Sequence, residues 1–159
     1  MPIFYSPIEV IEMAIKTEKT GNAFYTNAAT KTKSKILSEL FTYLAKEETK
    51  HEKTYSKLYK TIKDDPRALP FDLDEIRLYL QAITDSKFFE GPDKALSYIT
   101  KAKTPKSLLD FALQFEKETM LFYLEILNMV KSEHKHLVEK IISQEKQHIK
   151  KLSAMKESI

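Results

Sequence analysis

The sequence predicts an all-α protein, a four-helix bundle with a long crossover between its second and third helices. Three observations carry this. Glycine occurs only twice in 159 residues and tryptophan not at all, a profile that favours helices over a turn-rich sheet. Four long stretches repeat apolar residues at alternating steps of three and four, the signature of one helix face. The segment between the second and third stretches is less regular and contains two prolines within five residues, in "DDPRALP".

The first stretch opens on Ser6-Pro7, a cap followed by proline at the first helical position. Ile11, Ala14, Glu18, Gly21, Tyr25 and Ala28 then share a face. The second begins near Ser34 and places Leu37, Phe41, Leu44, Glu48, His51, Tyr55, Leu58 and Ile62 on one face, until the prolines end it. In the connector, from about 63 to 104, "DLDEIRLYLQAIT" predicts a short helix, "FFEGPDK" a turn and "KALSYITK" a second helical piece. Thr104-Pro105 repeats the cap and proline, and Leu109, Ala112, Glu116, Thr119, Tyr123, Ile126 and Val130 follow on one face. The fourth stretch runs from about His134 through Val138, Ile141, Glu145, His148, Leu152 and Met155. One bundle, with short links inside each helix pair, accounts for residues 1–159 as a single domain.

Composition narrows the chemistry. With 42% hydrophobic and 31% charged residues, the chain reads as globular rather than disordered. It has no cysteine, which excludes disulfides, thiol catalysis and any cysteine-ligated metal within it. A bound metal would be held by carboxylate, imidazole, backbone oxygen or water. The net charge of +3 is dispersed, so nothing points to nucleic acid. Neither a signal peptide nor a membrane span is expected, and a cytoplasmic location is the default.

Each apolar face carries the same anomaly, a Glu or a Glu and a His where the pattern calls for core. An isolated buried carboxylate costs several kcal/mol, so four of them in one core demand compensation. The two halves of the chain also resemble each other. "AIKTEKTGNAFY" aligns without a gap on "ALQFEKETMLFY", matching Ala14, Glu18, Lys19, Phe24 and Tyr25 with Ala112, Glu116, Lys117, Phe122 and Tyr123. Glu116 follows Glu18 by 98 residues and Glu145 follows Glu48 by 97, consistent with a duplicated helix hairpin. Residues three apart on a helix are neighbours, so each Glu-x-x-His pair reaches a common point. Four carboxylates balance two divalent cations, and oxygen and nitrogen donors without sulfur suit iron or manganese.

A single Glu-x-x-His has a plainer reading as a solvated helix face. Glu133 and His136 in "KSEHKHL" have the same spacing but no counterpart in the first half. His134 and His136 are therefore expected at the surface, near the turn between the last two helices. Tyr25 and Tyr123 are expected as packed core aromatics with a hydrogen-bonded hydroxyl, the alternatives being donors that orient ligands or one-electron participants.

Glu18 in "TEKTGNAFY", Glu48 and His51 in "KEETKHEK", Glu116 in "FEKETMLFY", and Glu145 and His148 in "QEKQHIK" together make the chain resemble the ferritin-like di-iron carboxylate proteins, and within them the rubrerythrin group. The resemblance spans essentially the whole chain. It implies two iron ions, with manganese or a mixed pair as alternatives. Glu48 and Glu145 would bridge them, Glu18 and Glu116 would be terminal, and His51 and His148 would each hold one ion. It further implies a homodimer that reduces peroxide or dioxygen. The sequence departs from the group in two ways. Typical rubrerythrins carry a rubredoxin domain with a four-cysteine iron, so electrons would here come from an external donor such as a rubredoxin. They also often carry a further carboxylate three residues after the first ligand of the third long helix, where this chain has Thr119. A ferroxidase role in iron handling, or a metal-stabilised bundle without turnover, are the alternatives.

Overall fold

A computed structural model describes residues 7–64, 73–85 and 92–159. Six helices lie in these segments: α1 (Pro7–Lys31), α2 (Lys35–Lys63), α3 (Leu73–Thr84), α4 (Pro92–Lys101), α5 (Pro105–Met129) and α6 (Ser132–Ser158). α1 packs along α2 and α5 along α6, and the hairpins meet through α1 against α5 and α2 against α6. The architecture is the ferritin-like bundle, with α3 and α4 in the crossover. α3 packs on α5 and α4 on α1.

Local chemistry sets the helix ends. The Ser34 hydroxyl accepts from the backbone N–H of Leu37 at 3.3 Å, and Thr104 accepts from Ser107 at 3.1 Å with Pro105 in the first turn. Each satisfies one of the donors left open at a helix start. Ser6, the expected cap of α1, lies outside the described residues, as do the prolines of "DDPRALP" and Phe88 and Phe89 of the connector. α2 nonetheless closes at Lys63, just short of those prolines.

Two expectations are corrected. Pro92 and Asp93, assigned to a turn, open α4 ahead of the expected start at Lys94, since proline suits a first helical turn, where its missing N–H costs nothing. α6 begins at Ser132 rather than near His134, without a side-chain cap. Glu133, His134 and His136 therefore occupy its first turns instead of a link. His136 is exposed there and His134 half-buried, its ring 3.4 Å from Glu133.

All residues assigned to the four long faces are buried except Met155, which is half-buried near the end of α6. They form two apolar layers. One contains Ile11, Ala14, Tyr55, Leu58, Phe122, Tyr123, Ile126 and Ile141. The other contains Phe24, Tyr25, Phe41, Leu44, Leu109, Ala112 and Leu152. On every long helix the Glu, or the Glu and His, falls between a residue of one layer and a residue of the other. The polar groups thus form a slab across the middle of the bundle. No helix among the described residues is long and apolar enough to cross a membrane.

Candidate metal centre

The slab contains Glu18 from α1, Glu48 and His51 from α2, Glu116 from α5, and Glu145 and His148 from α6. None is more than 2% exposed. The two imidazoles stack, with centroids 5.6 Å apart and planes 20° from parallel. Each turns Nδ1 toward carboxylates. His51 Nδ1 lies 3.0 Å from Glu145, 3.6 Å from Glu18 and 3.9 Å from Glu48. His148 Nδ1 lies 2.9 Å from Glu145, 3.4 Å from Glu116 and 3.8 Å from Glu48. The two rings thus share Glu48 and Glu145, and each has one further carboxylate from its own half of the chain.

The same division appears in the donor atoms. Glu18, Glu48, His51 and Glu145 offer four ligand atoms within 4.8 Å of one another, and Glu48, Glu116, Glu145 and His148 offer a second such set. The sets overlap at Glu48 and Glu145, so the slab has two adjacent cation-sized foci joined by two carboxylates.

Burial makes this arrangement costly without a cation. Both oxygens of Glu48 and Oε2 of Glu18 and Glu116 are buried without a hydrogen-bond partner, and Nδ1 of each histidine lies against the Glu145 carboxylate at 3.0 and 2.9 Å. Native interiors rarely leave so many buried polar atoms unpaired. Burial pushes the carboxyls of Glu18 and Glu48 well above the usual range, and neighbouring carboxylates add to the rise. Glu116 is raised to about 7 by burial and by the charge of Glu145. Burial would raise Glu145 as well, but His148 and His51 outweigh it and hold this carboxyl below the usual range. Burial alone would lower both imidazoles; contact with the carboxylates raises His51 to about 9 and His148 to about 11. The slab takes up protons where cations would otherwise balance its charge. Four anionic oxygen donors and two imidazoles fit two divalent ions in both charge and donor type.

Two tyrosines cross between the halves. Tyr25 on α1 donates to Glu116 Oε1 at 2.5 Å, and Tyr123 on α5 donates to Glu18 Oε1. Each hydroxyl therefore fixes one oxygen of a carboxylate in the opposite half and leaves the other free. Burial, reinforced by these carboxylates, lifts both phenols well above their ordinary value, so they remain donors. The expected hydrogen-bonded core tyrosines are present, and their partners are Glu116 and Glu18.

A family profile described as Rubrerythrin matches residues 9–156. The chain belongs to the rubrerythrin family. Among solved structures it is similar to a Thermotoga maritima protein described as ferritin-like diiron-carboxylate, at 25% identity and a TM-score of 0.67, over 97% of this chain and 96% of that one. It is also similar to a hypothetical protein from Pyrococcus furiosus, at 26% identity and a TM-score of 0.58, over 96% and 89% of the two chains. No curated protein sequence matches it significantly.

In this rubrerythrin-family slab four further residues went unassigned as site residues in the sequence. Gln144 places Oε1 2.9 Å from His51 Nε2; a carbonyl oxygen only accepts, so Nε2 carries the proton and Nδ1 is left for the carboxylate side. Glu47 is buried against the same rings. Tyr55, its ring 5.0 Å from that of Tyr123 and tilted 57° to it, has a buried hydroxyl without a partner, as does Thr119. For Glu47 and Gln144 a signal was available: each immediately precedes a Glu of the duplicated pairs.

Proposed function

We propose that the slab holds two iron ions, or two manganese ions, and that the protein reduces peroxide or dioxygen with electrons from a separate donor protein. The observation that carries this reading is the pair of overlapping four-residue donor sets, whose shared members Glu48 and Glu145 are the candidate bridging carboxylates. Glu18 and His51 would complete one ion's ligands, Glu116 and His148 the other's. A reduced iron pair, when bound, would supply two electrons, which with two protons take peroxide to two waters or dioxygen to peroxide.

The chain's own contribution is orientation, dryness and proton placement. Tyr25 and Tyr123 hold Glu116 and Glu18 in place while keeping their protons on the phenol oxygens. The apolar layers on either side keep bulk water from the carboxylates, so their charge acts in a low dielectric. These residues contain no cysteine, so a cysteine-ligated electron donor would lie outside them. A homodimer belongs to the same proposal: Leu78 and Tyr79 of α3 and Leu121 and Leu124 of α5 are exposed, on two helices that pack together. Light scattering should return twice the chain mass.

Protein purified without added metal should carry two ions per chain by metal analysis, with anomalous scattering at the iron or manganese edge locating both in the slab. Anaerobically reduced, iron-loaded protein should then oxidise faster with peroxide than with dioxygen in stopped-flow absorbance. Metal content below one ion per chain, together with no iron oxidation by either oxidant, would sink the proposal.

A further inference from the structure

Glu47 and Gln144 precede the two shared carboxylates and are themselves 97 residues apart, the offset that relates Glu48 to Glu145. They are equivalent positions of the duplicated hairpin, filled by a carboxylate in one half and an amide in the other. Gln144, on α6, accepts from Nε2 of His51 on α2. Glu47, on α2, brings a carboxylate oxygen within 4.8 Å of a ring nitrogen of both His51 and His148, and it is only 7% exposed although its helix has a solvated face. His148 Nε2, the atom equivalent to the one Gln144 holds, is buried and has no hydrogen-bond partner.

We infer that Glu47 is the positioning residue of His148, its carboxylate accepting the Nε2 proton of that ring as the Gln144 amide oxygen does for His51. Lys50 donates to Glu47 Oε1 at 2.7 Å, which leaves Oε2 for the ring. This inference rests on the two-ion reading of the slab and adds an inequality within it. An imidazole that donates to a carboxylate is a stronger base at its other nitrogen than one that donates to an amide. The focus at His148 and Glu116 is therefore the more electron-rich of the two, although the ligand residues are the same on both sides. The asymmetry is set outside the ligands, by Glu47 against Gln144.

Proton NMR of the chain loaded with Co(II) tests this, because the ring N–H of each Co(II)-bound histidine gives a paramagnetically shifted, exchangeable resonance. Two such resonances are expected in the wild type. Glu47→Gln preserves volume and an acceptor oxygen, and should move one resonance while leaving the other in place. Glu47→Ala should lose that same resonance to solvent exchange and weaken one of the two Co(II) binding steps about 10- to 100-fold. Gln144→Ala should act on the other resonance. Glu47→Gln moving neither resonance or both equally, or Glu47→Ala with both binding steps unchanged, would overturn the role of Glu47. A wild-type chain that binds fewer than two Co(II) ions would overturn the two-ion reading and this inference together, and the wild-type titration identifies that case.

Discussion

At the scale of single residues, Gly21 shows how tightly the slab is built. A Cβ added there would lie 3.0 Å from Cδ of Glu48 and 3.0 Å from the ring of Phe115. Removing the glycine should favour the helix by about 1 kcal/mol, while overpacking costs about 1–3 kcal/mol. The two offset each other, so Gly21→Ala should change the melting temperature of chelator-treated protein by only a few degrees. Its larger effect should fall on metal binding, because Glu48 stands in both donor sets and must move. Calorimetric titration with a divalent ion is expected to show both binding steps weakened. Glu18 and Glu116 illustrate what a sequence says about a residue: their place in the apolar pattern announced burial. That each is held by a tyrosine of the other half could not be read, because the contacts of Tyr25 and Tyr123 span 91 and 105 residues.

At the scale of the helix, start signals and periodicity were enough to locate the four long elements. Ser34 and Thr104 both cap as their chemistry dictates. Thr104→Ala should cost about 1 kcal/mol, because the first turn of α5 loses its acceptor, and the midpoint of urea unfolding should fall without a change in slope. The errors fell where side-chain signals are weakest. α6 starts at Ser132 with no side-chain cap, so only hydrogen bonding along the backbone marks its beginning. Pro92 read as a turn because proline ends helices as readily as it begins them; the choice was made by the packing of α4 on α1. The pair Glu133 and His136 has the ligand spacing but no counterpart in the first hairpin, and His136 is exposed.

At the scale of the whole molecule, the slab couples metal, protons and stability. With metal removed by chelator, His51 and His148 have folded values of about 9 and 11 against an ordinary 6.5. A raised imidazole stabilises fully below its unfolded value, and that stabilisation is lost as pH rises through the folded one. Glu116, raised to about 7 from 4.5, acts in the same sense: the folded state holds its proton longer, so stability falls across that interval. Glu145 is depressed, and its contribution is lost as pH falls below the ordinary carboxylate range. Glu18 and Glu48 are raised as well, so chelator-treated protein should be most stable near pH 4.5 and lose stability steadily from there toward pH 9. Metal binding displaces these protons, so the rise in melting temperature on adding Fe(II) or Mn(II) anaerobically should grow over the same range. A melting temperature of chelator-treated protein that climbs from pH 6.5 to 9 would contradict the assignment of protons to the slab.

The residues alone established the helices, their inward faces and the six polar positions that interrupt them, because periodicity, capping and internal duplication are local properties that repeat along the chain. They also excluded cysteine ligation within the chain. Only the folded bundle decided how those six side chains divide. It put Glu48 and Glu145 in both donor sets, sent each tyrosine to the opposite half, and set Gln144 against His51. Such pairings depend on how two hairpins dock across a near two-fold relation, which no spacing within one helix records. The same docking turns an equivalence of sequence into an inequality of surroundings, with a carboxylate behind one imidazole and an amide behind the other.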